Sequence, residues 1–130
     1  MSAQEVSHAV ITAAMRVHSE LGPGLLESAY QACLQHELQQ AGFQAASQVS
    51  LPVVYKGVIL ELGYRMDLVV ENIVIVEVKA VDAISPVHQA LIISYLKLSG
   101  RSLGLLINFN VVHLKEGIKR FVNGTGWTEE

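Results

Sequence analysis

Three ionisable residues, Asp67, Glu77 and Lys79, stand at spacings that chemistry can use. The run Ile73-Val74-Ile75-Val76-Glu77-Val78-Lys79 is apolar on both faces as far as Glu77, the composition of a strand buried inside a sheet. Side chains alternate along a strand, so Glu77 and Lys79 share one face. Removing an unpaired charge from water is costly, so the pair needs a reason to be there. On this tripeptide alone, a salt bridge at an exposed strand end is one such reason and a reaction site is another.

Asp67 adds weight to the second reading, because it lies in the neighbouring apolar segment Met66-Asp67-Leu68-Val69-Val70. For Asp67 to share a face with Glu77, cross-strand partners must sum to an even number. Asp67 then stands opposite Glu77, Arg65 opposite Lys79, and the loop is centred on Asn72. A tight two-residue turn at Glu71-Asn72 would instead send Glu77 to the other face, so an odd loop or a bulge is required. Two carboxylates on adjacent strands can hold a hard divalent cation, Mg²⁺ or Mn²⁺, with water completing the shell. Such a cation polarises a phosphate and acidifies water, while Lys79 orients that water or offsets developing charge.

The elements around these residues follow from periodicity. Val6 to Leu21 recurs at helical spacing and stops at Gly22-Pro23-Gly24; a second helical segment runs from about Leu25 to Ala41, ahead of Gly42. β-Branched runs follow over Val49–Tyr55, Val58–Val70 and Ile73–Lys79, which predicts three antiparallel strands. Ser85-Pro86 opens a third helix and Ser99-Gly100 closes it. Strands are predicted over Leu103–Phe109, Val111–Leu114 and Ile118–Val122. The fold class is α/β with a mixed sheet: an N-terminal helical hairpin, a three-strand meander, a crossover helix and further C-terminal strands.

At 130 residues the chain fits one domain over its full length. It is 51% hydrophobic and only 16% charged, a balance for a packed globule with surface to spare for a partner, so a homodimer is compatible with it. The net charge of −3 offers no global field for nucleic acid, though a local basic groove is compatible with it. One cysteine, Cys33, excludes an internal disulfide and agrees with a cytoplasmic location. The first residues lack a basic leader and no apolar run is long enough to span a bilayer, so membrane association is not expected.

Gly24-Leu25-Leu26-Glu27-Ser28-Ala29-Tyr30 resembles the motif of the GxxExxY protein family, a mostly bacterial set within the PD-(D/E)XK nuclease superfamily. The resemblance continues through Leu51-Pro52-Val53, Tyr55-Lys56-Gly57, Gly63-Tyr64-Arg65-Met66-Asp67, Glu77-Val78-Lys79, His88 to Lys97, Asn108-Phe109 and Gly117-Ile118-Lys119-Arg120. It implies a restriction-endonuclease-like core with Asp67 and Glu77 as the acidic, metal-holding pair. It also makes Lys79 the lysine of the site and Glu27 the acidic residue of the first core helix. Independently, Glu27 shares a helical face with Tyr30 and Leu34, which predicts an inward carboxylate, although an acid in a first turn also favours the helix dipole. One departure stands out: Leu91 occupies a position, three residues after His88, where the family carries glutamine, and Gln89 lies about 200° round the helix from it.

Other signals are weaker. Gly22-Pro23-Gly24 follows a helix instead of a strand and so is no dinucleotide fingerprint. Cys33 and His36 are two ligands where structural zinc needs four. His88 reads as a helix-start residue, and Lys115, Lys119 and Arg120 as either phosphate contacts or charge protecting a strand edge. Two functions remain open: an Mg²⁺-dependent nuclease acting on DNA or RNA, favoured by Asp67, Glu77 and Lys79, or a non-catalytic binding or assembly module on the same fold, favoured by Leu91 and the acidic charge.

Overall fold

The computed structural model of the protein describes residues 1–123. Helix α1 (Ala3–Leu21) opens on a capping box: Ser2 Oγ accepts the Glu5 N–H, and Glu5 Oε1 accepts the Ser2 N–H. Its buried stripe, Val6, Val10, Ala13, Ala14 and Val17, packs against Tyr30, Leu34 and Leu38 of α2 (Glu27–Gln40). The second helix starts two residues later than its apolar spacing predicts, since Leu26 serves as the cap and is exposed.

Five strands form the main sheet: β1 (Ala45–Ser50), β4 (Arg65–Val70), β5 (Val74–Lys79), β6 (Leu103–Asn108) and β7 (Ile118–Val122), side by side in that order. Only β5 and β6 run parallel. Their connection is α3 (Pro86–Ser99), with Ser85 as N-cap and Gly100 in the left-handed region at the close, at the boundaries that the sequence predicts. Leu68, Val70, Val74, Val76 and Val78 face the α1–α2 layer, while Val69 and Ile75 face Ile92, Tyr95 and Leu96 of α3. The result is a three-layer α/β architecture with a mixed sheet, the class that the sequence predicts.

Two of the predicted strands are each divided. The first breaks at Leu51-Pro52, where proline cannot donate to a ladder, and the second at Glu61–Tyr64, where Gly63 takes a positive φ of 82°. Between the breaks, β2 (Val53–Tyr55) and β3 (Val58–Leu60) form a separate hairpin, leaving β1 to pair with β4. The predicted strand Val111–Leu114 is a correction: this stretch bends into a 3-10 turn (Leu114–Gly117). The chain must reverse there so that β7 can pair antiparallel with β6, and Leu114 anchors the reversal in the core. A side chain at Gly117 would collide with the Asn108 carbonyl, which leaves glycine as the residue that fits.

Candidate functional site

The β4–β5 register pairs Leu68 with Val76, Val69 with Ile75 and Val70 with Val74, so partners sum to 144 and the connection is centred on Asn72. Glu71 and Asn72 do form a tight turn with positive φ at both residues, closed by the Ile73 N–H on the Val70 carbonyl (2.9 Å). Ile73 is the extra residue that restores even parity. By alternation, Asp67 and Glu77 fall on the face of Val69 and Ile75, toward α3.

The regular ladder stops one pair short of these two residues, so Arg65 does not pair with Lys79; it pairs with Ser50 of β1. Side chains replace the missing rungs. The Asp67 N–H donates to Glu77 Oε2 at 2.8 Å, and the Val78 N–H donates to Asp67 Oδ2 at 2.8 Å. On the other side of β4, Gln48 interrupts β1 with a φ of 50°, and its amide Nε2 reaches Gln31 Oε1 (3.0 Å) and, at 3.5 Å, Asp67 Oδ1. The sheet is thus opened on both sides of Asp67, the kind of local irregularity that re-aims a side chain.

Glu77 is 3% exposed. Burial, reinforced by the Asp67 charge, pushes its carboxyl up to about 8, while its hydrogen bond from the Asp67 N–H and the Lys79 charge oppose the rise. Asp67 is raised as well, chiefly by burial, against the Val78 N–H and Lys79. Lys79, half-buried at the end of β5, acts on both carboxylates through space. Near neutral pH this dyad resists double ionisation, a conflict that a divalent cation would relieve. Each carboxylate commits one oxygen to a backbone N–H, while Asp67 Oδ1 meets only the long 3.5 Å contact from Gln48 Nε2. Hard oxygen donors of this kind fit Mg²⁺ or Mn²⁺.

Glu27 departs from expectation in one respect: its side chain is exposed at the first position of α2. It nevertheless turns to the site, since Oε2 accepts the Ala80 N–H (3.3 Å) just past β5, and its charge raises both Asp67 and Glu77. Tyr30 explains the spacing of its motif. The Tyr30 hydroxyl donates to the Gly22 carbonyl (2.6 Å) and accepts the Leu25 N–H (3.1 Å), while its ring stacks on Phe109 at 4.6 Å. These contacts fix the turn from which Glu27 projects. Among the described residues, no three His, Cys, Asp or Glu side chains converge as a metal cage, so Glu27 stands beside the dyad without closing a third corner.

Three neighbours are not marked as site residues by the sequence. Tyr95 of α3 is buried, and its hydroxyl is pushed up to about 12, first by burial and then by the Glu77 and Asp67 charges; Tyr64 meets its ring edge-on at 6.3 Å. In the sequence it reads only as an apolar helix position, four residues after Leu91, and nothing there shows the carboxylates above it. Gln48 carries no strand-breaking signal of its own. Asn108, paired with Lys79 across β5 and β6, is buried; its amide donates to the Val81 carbonyl (2.9 Å) and accepts the N–H groups of Val81 and Asn110. It fixes the chain where β5 ends; in the sequence it stands only within the Asn108-Phe109 stretch of the family resemblance, with no role attached.

The remaining sequence signals lie elsewhere. Leu91 is half-buried against the α3-side cluster. His88 completes a capping box with Ser85, its Nδ1 accepting the Ser85 N–H (3.0 Å). Cys33 and His36 line a groove of about 940 Å³ between α1 and α2, away from Asp67 and Glu77. Lys119 and Arg120 lie on β7, the edge strand, where Arg120 donates to Gln4. A family model described as the PD-(D/E)XK nuclease superfamily matches residues 4–121. No curated protein and no solved structure matches the chain significantly.

Proposed function

The chain belongs to the PD-(D/E)XK nuclease superfamily, and from that premise we propose that it is a divalent-metal-dependent nuclease that hydrolyses phosphodiester bonds in DNA or RNA. Its Gly24–Tyr30 stretch further supports placement in the GxxExxY family. The observation that carries the reading is the pair of the buried Glu77 and the half-buried Asp67 beside Lys79, a set that is unfavourable when both carboxylates ionise without a cation.

Asp67 and Glu77 would hold Mg²⁺ or Mn²⁺, which when bound supplies Lewis acidity toward phosphate and activates water. Lys79 contributes fixed positive charge on the same face of β5, where it offsets the negative charge that builds on a phosphate under attack. Glu27 sits at the rim and serves as an auxiliary acid. Tyr95 stands on the α3 side, where its hydroxyl feels the charges of Glu77 and Asp67.

A second reading keeps the fold as a non-catalytic nucleic-acid-binding or assembly module, favoured by the apolar Leu91 and by the absence of a third converging carboxylate among the described residues. Calorimetric titration with Mg²⁺ and Mn²⁺, paired with cleavage of single-stranded, double-stranded and branched substrates, separates them. Saturable binding that Asp67→Asn and Glu77→Gln abolish, together with cleavage, supports the nuclease. Metal binding without cleavage on any substrate favours the module, and the lack of both sinks the metal site.

A further inference from the structure

The β2–β3 hairpin stands apart from the main sheet as two strands, with no third among the described residues. Its pairs are Val53 with Leu60, Val54 with Ile59 and Tyr55 with Val58, around a tight Lys56-Gly57 turn with positive φ at both residues. An isolated pair of strands is marginal in water. This one is apolar on both faces and largely uncovered: Val54 is 57% exposed, Tyr55 60%, Val58 56% and Ile59 67%. Exposed apolar area of this kind, on strands with open edges, marks a surface built for a partner.

We infer that two copies of this chain pair through the outer edges of their β3 strands, joining the hairpins into one four-stranded antiparallel sheet. The backbone chooses the edge. A two-residue turn closes on the hydrogen-bonded pair Tyr55 and Val58, so Val54 and Ile59 turn their N–H and C=O groups outward. On the β2 edge the next outward position is Pro52, which has no N–H to give. On the β3 edge the outward positions are Ile59 with Gly57 and Glu61 on either side, all donors. That edge is open for pairing.

Symmetry then sets the register. A two-fold axis normal to the joined sheet requires the same face on both sides, hence an even sum, and Ile59 opposite Ile59 of the second copy is the arrangement centred on β3. It places Glu61 of the second copy opposite Gly57, beside Lys56. Two such Lys–Glu encounters form, one at each end. Among the described residues these side chains have only loose partners: Lys56 Nζ lies 5.4 Å from the centre of the Tyr55 ring, and Glu61 Oε2 accepts from Ser50 Oγ at 3.5 Å. With just these two charges on the arm and a net charge of −3 for the chain, the hairpin suits a copy of itself better than a polyanion. This inference does not depend on the metal-site reading.

Sedimentation equilibrium of the full chain tests it. The parent is expected to be a dimer, and Ile59→Lys, which opposes two lysines at an exposed position, a folded monomer by circular dichroism. Lys56→Glu should weaken the dimer and Lys56→Glu with Glu61→Lys restore it. In a Cys33→Ser background, Ile59→Cys should form an intermolecular disulfide on mild oxidation, since a hydrogen-bonded antiparallel pair has the right separation. A monomeric parent, or a dimer that survives Ile59→Lys, overturns the proposal. If the parent is monomeric and Ile59→Lys instead changes affinity for a DNA or RNA oligonucleotide, the arm belongs to nucleic acid.

Discussion

Asp67 and Glu77 each bind the other's strand: Glu77 Oε2 takes the Asp67 N–H and Asp67 Oδ2 takes the Val78 N–H, both at 2.8 Å. The two carboxylates thereby stand in for ladder bonds that β4 and β5 would otherwise make. They hold the strands together and, when both are charged, push against each other.

This double role makes Glu77→Gln informative. The amide oxygen can still accept the Asp67 N–H while the charge conflict disappears. The metal-free variant should be as stable as the parent or more stable by about 0–2 kcal/mol, and should lose the stabilisation that Mg²⁺ or Mn²⁺ gives the parent by mass action. Had Glu77 and Lys79 formed a needed buried ion pair, the same change would cost about 3–5 kcal/mol. Denaturant unfolding in chelator and in metal distinguishes the two.

The pH dependence has a definite sign. A carboxyl raised on folding holds its proton more tightly in the native state, so its contribution is full below the unfolded value and is lost as pH climbs through the folded one. For Glu77 that window runs from the ordinary 4.5 to about 8, and Asp67 shifts in the same direction. In chelator, the stability of the parent relative to Glu77→Gln should therefore fall as pH rises across this window. A flat difference would show that the dyad is not strained when ionised.

Tyr30→Phe keeps the ring stack on Phe109 but strands the Leu25 N–H and the Gly22 carbonyl. We expect a loss of about 0.5–1.5 kcal/mol by thermal or denaturant unfolding. Because the same turn presents Glu27, cleavage should fall further than stability explains. Equal activity at full folding would detach Glu27 from the site.

Leu91 lies one helical turn before Tyr95 on α3, on a face that bears on the carboxylates. If an amide is what that position lacks, Leu91→Gln should raise metal-dependent cleavage with the fold unchanged, as read by initial rates and circular dichroism. A well-folded variant with the parent's rate would reduce the position to packing.

Much of this organisation is legible in the chain itself. Ser85-Pro86 and Ser99-Gly100 mark α3 because an N-cap, a first-turn proline and a left-handed glycine are local requirements. The even parity of Asp67 and Glu77 follows from strand alternation once their shared face is assumed, and the register agrees. The assignment of β-branched runs to continuous strands goes too far, because propensity does not register where Pro52 and Gly63 end a ladder, nor that a hairpin splits off between β1 and β4. Val111–Leu114 has strand composition but serves as an anchored reversal, since a buried apolar residue satisfies the core in either conformation. The surroundings of the dyad belong to tertiary structure alone. Gln48, Tyr95 and Asn108 come from β1, α3 and β6, and their effect on Asp67, Glu77 and the end of β5 acts across space. Burial and charge at a distance carry no local sequence signature, and they set the protonation of this site.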